Sequence, residues 1–250
     1  SDLRRQRQMC IRDRYKGCDY WVPPIISEEL ESMDKEKNPV FENAEAEFYI
    51  AKKDGVTVGR IAAMVNWVEI EEQKKNKLRF GWYDTIDDLE VSKKLLESVI
   101  EFGKKRKLEF VDGPVGFSNM DKAGLLIEGY EELNTMITWY HYPYQKEHLK
   151  KLGFSKLAEW VEYKIKIFSA EDAPEKVKKF SKIIQQRYEL KVLNFKSRKE
   201  IIPYVDKMFE LLNVTYSNLQ TYVTIKQYQI DFYKEKFIKY IHPDFIKCCL

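Results

Sequence analysis

The side chains in this sequence that could do chemistry are few and widely spaced. Asp112 and Asp121 flank a stretch that carries Gly113 and Gly116. Two carboxylates held in unlike surroundings can divide the acid and base roles of a proton-transfer reaction, although aspartates beside glycines more commonly serve as turn residues. The three histidines, His141, His148 and His242, lack the short spacing that brings two imidazoles to one zinc ion. Gly113, Gly116 and Gly124 are too loosely spaced to cradle a phosphate, and neither GxxxxGK[ST] nor GxGxxG occurs. Of the four cysteines, Cys10 and Cys18 stand alone and Cys248 and Cys249 are adjacent. They form neither a metal-ligand set nor a disulfide framework, as befits a reducing compartment. No metal is expected.

Composition narrows the class. With 250 residues, 44% hydrophobic and 33% charged, the chain suits a globular protein of one large or two small domains. No apolar run approaches the roughly 20 residues of a membrane helix, and no signal-peptide pattern opens the chain. The expectation is a cytoplasmic protein without a membrane partner. Ser1–Arg14 differs from the rest: it holds five of the ten arginines and is read as a foreign or disordered segment. The alternative is a basic arm for nucleic acid or membrane. Without the segment, 38 basic residues face 38 acidic ones. A nucleic-acid binder needs a basic face, so no nucleic-acid partner is expected. The run Lys104–Lys107 falls at a helix end, where it complements the helix dipole.

The elements that must position any site follow from local patterns. EFYIAKKDGVTVGRIAAMV, residues 47–65, reads as two strands joined at Asp54-Gly55, a pair that tolerates the positive φ angles of a tight hairpin. KLRFGWYD, residues 77–84, reads as a third strand. Val91, Leu95, Val99 and Phe102 recur at helical spacing, which predicts a helix over Glu90–Lys105 capped by Asp87 or Asp88. Leu108–Val111 reads as a short fourth strand stopped by Asp112-Gly113-Pro114, and Asn134–Tyr140 as another candidate strand. Lys146–Leu152 predicts a short helix ended by Gly153, and the alternation over Ser155–Ile167 predicts a long strand or a bent pair. A second unit then opens with a helix over Lys176–Tyr188 and a strand over Leu190–Phe195. Helices capped at Ser197 and Thr224 follow, and a strand begins at Asp244. The domain expectation is a unit over 15–168 and the start of another over 175–250, cut short inside a strand.

This order resembles the GNAT acyltransferase fold, with FYIAKKDGVTVGRI similar to that family's second and third strands and HLKKLGF similar to its late helix-and-turn motif. YWVPPII, RFGWYDTIDD, DGPVGF and YHYPYQKEHLKKLGF together resemble a poorly characterised bacterial family with GNAT-like units in tandem. The resemblance implies an α/β fold with a mixed, mainly antiparallel sheet flanked by helices. The first unit would lack the family's opening strand and helix. It implies acyl transfer from acyl-CoA, such as acetyl-CoA, to a small-molecule or peptide amine by the full-length parent, this stretch alone being inactive. A non-catalytic binding or scaffold module on the same fold is the alternative. The family often uses a tyrosine four residues before the glycine of L-G-F to protonate the departing thiolate. Leu149 stands there in this sequence, so Tyr142, Tyr144 and His148 become the candidate catalytic residues. The family's glycine-bearing pyrophosphate loop corresponds to YDTIDDLEVS, residues 83–92. That junction has no glycine and carries Asp84, Asp87, Asp88 and Glu90, which would repel a pyrophosphate. No cofactor is expected to bind tightly to this chain.

Overall fold

The hairpin forms where its turn chemistry directs. In the computed structural model, which describes residues 13–167, 169 and 171–250, Asp54 and Gly55 both take positive φ, 52° and 81°. That is the type I′ geometry whose twist matches the flanking strands. It joins β1 (Ala44–Lys53) to β2 (Val56–Asn66). Asn66 then caps a five-residue helix, α2 (Trp67–Glu71), before β3 (Lys77–Thr85). The sheet has the order β1-β2-β3-β4. Its first three strands are antiparallel, and β4 (Phe110–Asp112) runs parallel to β3. Parallel neighbours need a crossover, here α3 (Leu89–Lys105). The architecture is the expected mixed α/β one.

The helix α3 starts at Asp88, whose side chain accepts a hydrogen bond from the Glu90 N–H at 3.0 Å. Its stripe of Val91, Leu95, Leu96, Val99 and Phe102 packs on Ile61, Ala63, Val65, Leu78 and Phe80. A second core of Ala62, Met64, Trp82, Phe117, Val40 and Met33 uses the strand residues that point the other way. Met33 ends a helix, α1 (Ile26–Ser32). The strand β3 is not regular. Gly81 and Asp84 face Ala62 and Arg60, so two residues of β3 oppose one of β2, and Trp82 takes φ 47°. This bulge switches the alternation. Phe80 and Tyr83 both pack with α3, whereas Trp82 joins the opposite core.

A further helix of this unit, α4 (Pro143–Lys151), ends before Gly153 at φ 90°. The chain divides into two units: everything up to Glu159 with Thr215–Ile225, and Trp160–Val214 with Lys226–Leu250. The second unit holds α5 (Glu175–Arg187), α6 (Arg198–Thr215, its last residue across the division), α7 (Gln227–Phe237) and a small sheet. In that sheet β5 (Val192–Asn194) pairs antiparallel with β6 (Lys247–Cys249). Phe195, Ile201 and Val205 form its core.

Two expected strands do not form. Residues 134–140 are held by turn-like bonds from the Asn134 side chain to the carbonyls of Thr135 and Thr138. Residues 155–167 carry no strand pairing, and Val161, Tyr163 and Ile165 are exposed. Alternation specifies a strand only when a neighbouring strand completes its ladder. Among the described residues no helix is long and apolar enough to cross a membrane. Of the segment Ser1–Arg14, residues 1–12 lie outside the described residues; Arg14 pairs with Asp84.

Gly81 is fixed by sterics. A Cβ there would stand 2.4 Å from the Val115 carbonyl oxygen and 3.0 Å from Met64 Cε. Gly81→Ala is expected to destabilise the fold by about 1–3 kcal/mol through overpacking, read as a lower urea midpoint at unchanged slope.

Candidate functional site

The three residues expected to carry acid chemistry come together where β3 ends and α3 begins. Tyr142 precedes Pro143, the first residue of α4, and its N–H donates to Gln145 Oε1 at 2.9 Å. Tyr144 and His148, four residues apart, share one face of that helix and touch, with ring centroids 5.5 Å apart. Tyr142 stacks on Tyr144 on one side and on Tyr15 on the other, at 5.8 and 5.0 Å. Burial raises the pKa of all three phenols, Tyr15, Tyr142 and Tyr144, and so keeps them protonated.

Their protons are not equally free. The Tyr144 hydroxyl donates to the Thr85 carbonyl at 2.7 Å. His148 Nδ1 lies 2.8 Å from Ser92 Oγ, and Nε2 lies 3.1 Å from Asp87 Oδ1. The tautomer with the proton on Nε2 satisfies both contacts. Ser92 also accepts from the Tyr83 hydroxyl at 2.9 Å and lies 3.3 Å from Thr85 Oγ1. Serine, histidine and aspartate in a row have the composition of a hydrolytic triad. Here Ser92 is 0% exposed and enclosed by hydroxyls, so the chain acts as a strut that locks α4 to α3. Tyr142 is different: among the described residues its hydroxyl reaches the Arg14 carbonyl alone, at 3.4 Å.

The start of α3 is already satisfied by the protein's own carboxylates. Asp88 caps it and pairs with Lys53 at 3.0 Å, and Asp87 faces His148. This is the acidic, glycine-free junction expected from the sequence. Asp112 and Asp121 do not act as a pair. Asp112 binds Lys77 at 2.7 Å. Asp121 accepts from the Ser118 N–H at 3.0 Å, and burial pushes its pKa up to about 6. Among the described residues no group of His, Cys, Asp or Glu could hold a metal ion.

Beside the tyrosine stack, on the sheet face away from α3, a small, partly open cleft is lined by Tyr15, Arg60, Trp82, Asp84, Lys122 and Tyr140, among others. Asp84 lies opposite Arg60 in the β2–β3 register. Its carboxylate is held by Arg14 at 2.5 Å and, weakly, by the Tyr15 hydroxyl at 3.5 Å. Burial nevertheless raises its pKa. Sequence reasoning missed Tyr15, Arg60, Asp84 and Ser92 as site residues. Their one local signal was the acidic residue at the end of a predicted strand.

No protein-family model matches the chain. Protein YghO of Escherichia coli (strain K12) is 25% identical over 228 residues, covering 90% of this chain and 56% of that protein. The Bacterial ceramide synthase of Caulobacter vibrioides (strain NA1000 / CB15N) is 24% identical over 146 residues, covering 58% of this chain and 38% of that protein. The chain thus spans about half the length, or less, of these curated relatives. The second relative carries the name of an acyltransferase-type enzyme.

His141, next to the cleft residue Tyr140, supplies a pH test. It is buried, its Nδ1 accepts from the Leu126 N–H at 3.3 Å, and burial lowers its pKa to about 3. A depressed pKa favours the fold above the unfolded value of about 6.5, and that stability is lost as pH falls from there towards 3. Asp121 works in the opposite sense, losing stability as pH rises from about 4 to 6. His141→Gln is therefore expected to remove up to ~1.4 kcal/mol per pH unit of the slope below pH 6.5. Urea denaturation of both proteins at pH 7, 6 and 5 measures the difference.

Proposed function

We propose that this chain belongs to an N-acyltransferase that moves an acyl group from acyl-CoA to an amine. The observation that carries the reading is the similarity, over 146 residues, to the protein named Bacterial ceramide synthase. A ceramide is a fatty amide of a long-chain amino alcohol, so that name describes acyl transfer to nitrogen. The order hairpin, bulged strand, crossover helix and parallel strand supports a GNAT-like framework for it. Because the chain covers a minor part of that relative, the activity is proposed for the whole protein rather than for this stretch alone.

In this reading the amine nitrogen attacks the thioester carbonyl and gives up one proton to solvent, the C–S bond breaks, and the thiolate takes up a proton from an acid that solvent then reprotonates, leaving an amide and a free thiol. Tyr142 is the best donor of the three candidates. Burial keeps its phenol protonated, and among the described residues its hydroxyl has a single long contact. Tyr144 and His148 serve as positioning residues, because their polar atoms are engaged with Thr85, Ser92 and Asp87. The non-catalytic alternative is favoured by one observation: Asp88 fills the N-terminus of α3, where a pyrophosphate would otherwise find N–H groups.

The test uses the longest available protein containing this sequence, incubated with palmitoyl-CoA or acetyl-CoA and a long-chain amino alcohol. The products are read by mass spectrometry. The expected outcome is an N-acyl amide, with kcat lowered about 10²–10⁴-fold in Tyr142→Phe and KM little changed. Absence of any amide with either thioester would favour the binding module.

A further inference from the structure

We propose that the Arg60 cleft is a binding site for a small organic anion, a carboxylate or phosphate monoester carried on an apolar body. The proposal stands apart from the acyl-transfer reading and holds whichever reaction the protein performs.

The argument starts from an unpaid electrostatic debt in the sheet. Arg60 points away from α3, on the same side as Ala62 and Met64, and is 8% exposed. Two of its guanidinium nitrogens, Nε and Nη1, are buried without a hydrogen-bond partner. Such an arrangement is rare, because a buried donor without an acceptor forfeits its hydration with nothing in return. The carboxylates nearby do not remove it. Asp84, opposite in register, is engaged by Arg14 and Tyr15. Glu29 accepts from Trp82 Nε1 at 2.8 Å and acts on Arg60 through space.

A second cation reinforces the first. Lys122 lines the same cleft, and burial lowers its pKa. With Asp84 neutralised by Arg14, the described residues lining the cleft include two cations, Arg60 and Lys122, and one other carboxylate, Glu29. One negative charge would balance the set. The remaining walls include Trp21, Trp82, Trp139 and Tyr140, which suit a flat or aliphatic body attached to that charge. Arg79, one strand away, shows the contrast: each of its guanidinium nitrogens is bonded within the protein. The fold can satisfy a buried arginine, and at Arg60, a residue that lines the cleft, it leaves two donors without an acceptor.

Isothermal calorimetry with three probes of matched body tests this: phenylacetate, phenyl phosphate and the neutral 2-phenylethanol. Saturable binding of at least one anion is expected, with the neutral alcohol ten-fold or more weaker. The tighter of the two anions identifies the acidic group. Arg60→Gln should weaken that anion roughly ten-fold or more, as for loss of a charge-assisted hydrogen bond, and Arg60→Lys should weaken it less. Without ligand, Arg60→Gln should melt at or above the wild-type temperature, because the unpartnered charge is gone. Three results would each overturn the proposal: no saturable binding of either anion, equal binding by Arg60→Gln, or a ligand-free melting temperature clearly below wild type. The last would show that the fold itself satisfies the guanidinium.

Discussion

The buried ion pair between Arg79 and Glu69 is the contact on which the first unit depends. Arg79 is 1% exposed and Glu69 0%. Arg79 Nε and Nη2 donate to the two Glu69 oxygens at 2.8 and 2.9 Å. Nη1 donates to the Gly116 carbonyl at 3.1 Å, and Nη2 also to that of Thr221 at 2.7 Å. Lys77 adds contacts to Glu69 at 3.1 Å and Asp112 at 2.7 Å. One cluster thereby joins β3, α2, β4, the loop beyond it and a segment more than a hundred residues later. Desolvating these charges is costly, and the cost is recovered only because nearly every donor finds an acceptor. Removing one partner of such a pair typically costs about 3–5 kcal/mol.

The same strand builds the site by a different device. The bulge at Trp82 turns two neighbouring residues to unlike tasks. Tyr83 faces α3 and bonds Ser92, while Trp82 and Asp84 face the cleft with Arg60. A regular strand would have kept strict alternation and could not have placed Phe80 and Tyr83 in one core with Trp82 in the other. The bulge thus couples the packing of the crossover helix to the shape of the cleft.

The tyrosine stack and the Ser92–His148–Asp87 chain show how polar groups in a half-buried region divide between structure and chemistry. A histidine with both nitrogens engaged, or a serine enclosed by hydroxyls, holds elements in place. The Tyr142 phenol has one long contact among the described residues, and it is on that ground that the acid role is proposed for it. Residue type alone does not separate these cases; the count of satisfied partners does.

Local physics made part of this protein legible in its sequence. Asp54-Gly55 specified the hairpin, because few pairs tolerate two positive φ angles. Asp88, the apolar stripe of α3 and Gly153 marked helix ends and faces within a few residues. The acidic junction before α3 and the neighbourhood of Tyr142, Tyr144 and His148 were also readable, since their spacing lies within single turns. The helix α2 was hidden, being only five residues long and following directly on a strand. The expected strand over 155–167 failed for want of a partner. Tertiary structure alone decided that Ser92 meets His148, 56 residues away, that Arg79 is satisfied and that Arg60 is not. Each depends on which distant backbone and side-chain groups the chain topology brings within hydrogen-bonding reach, and no propensity or periodicity of neighbouring residues encodes that distance.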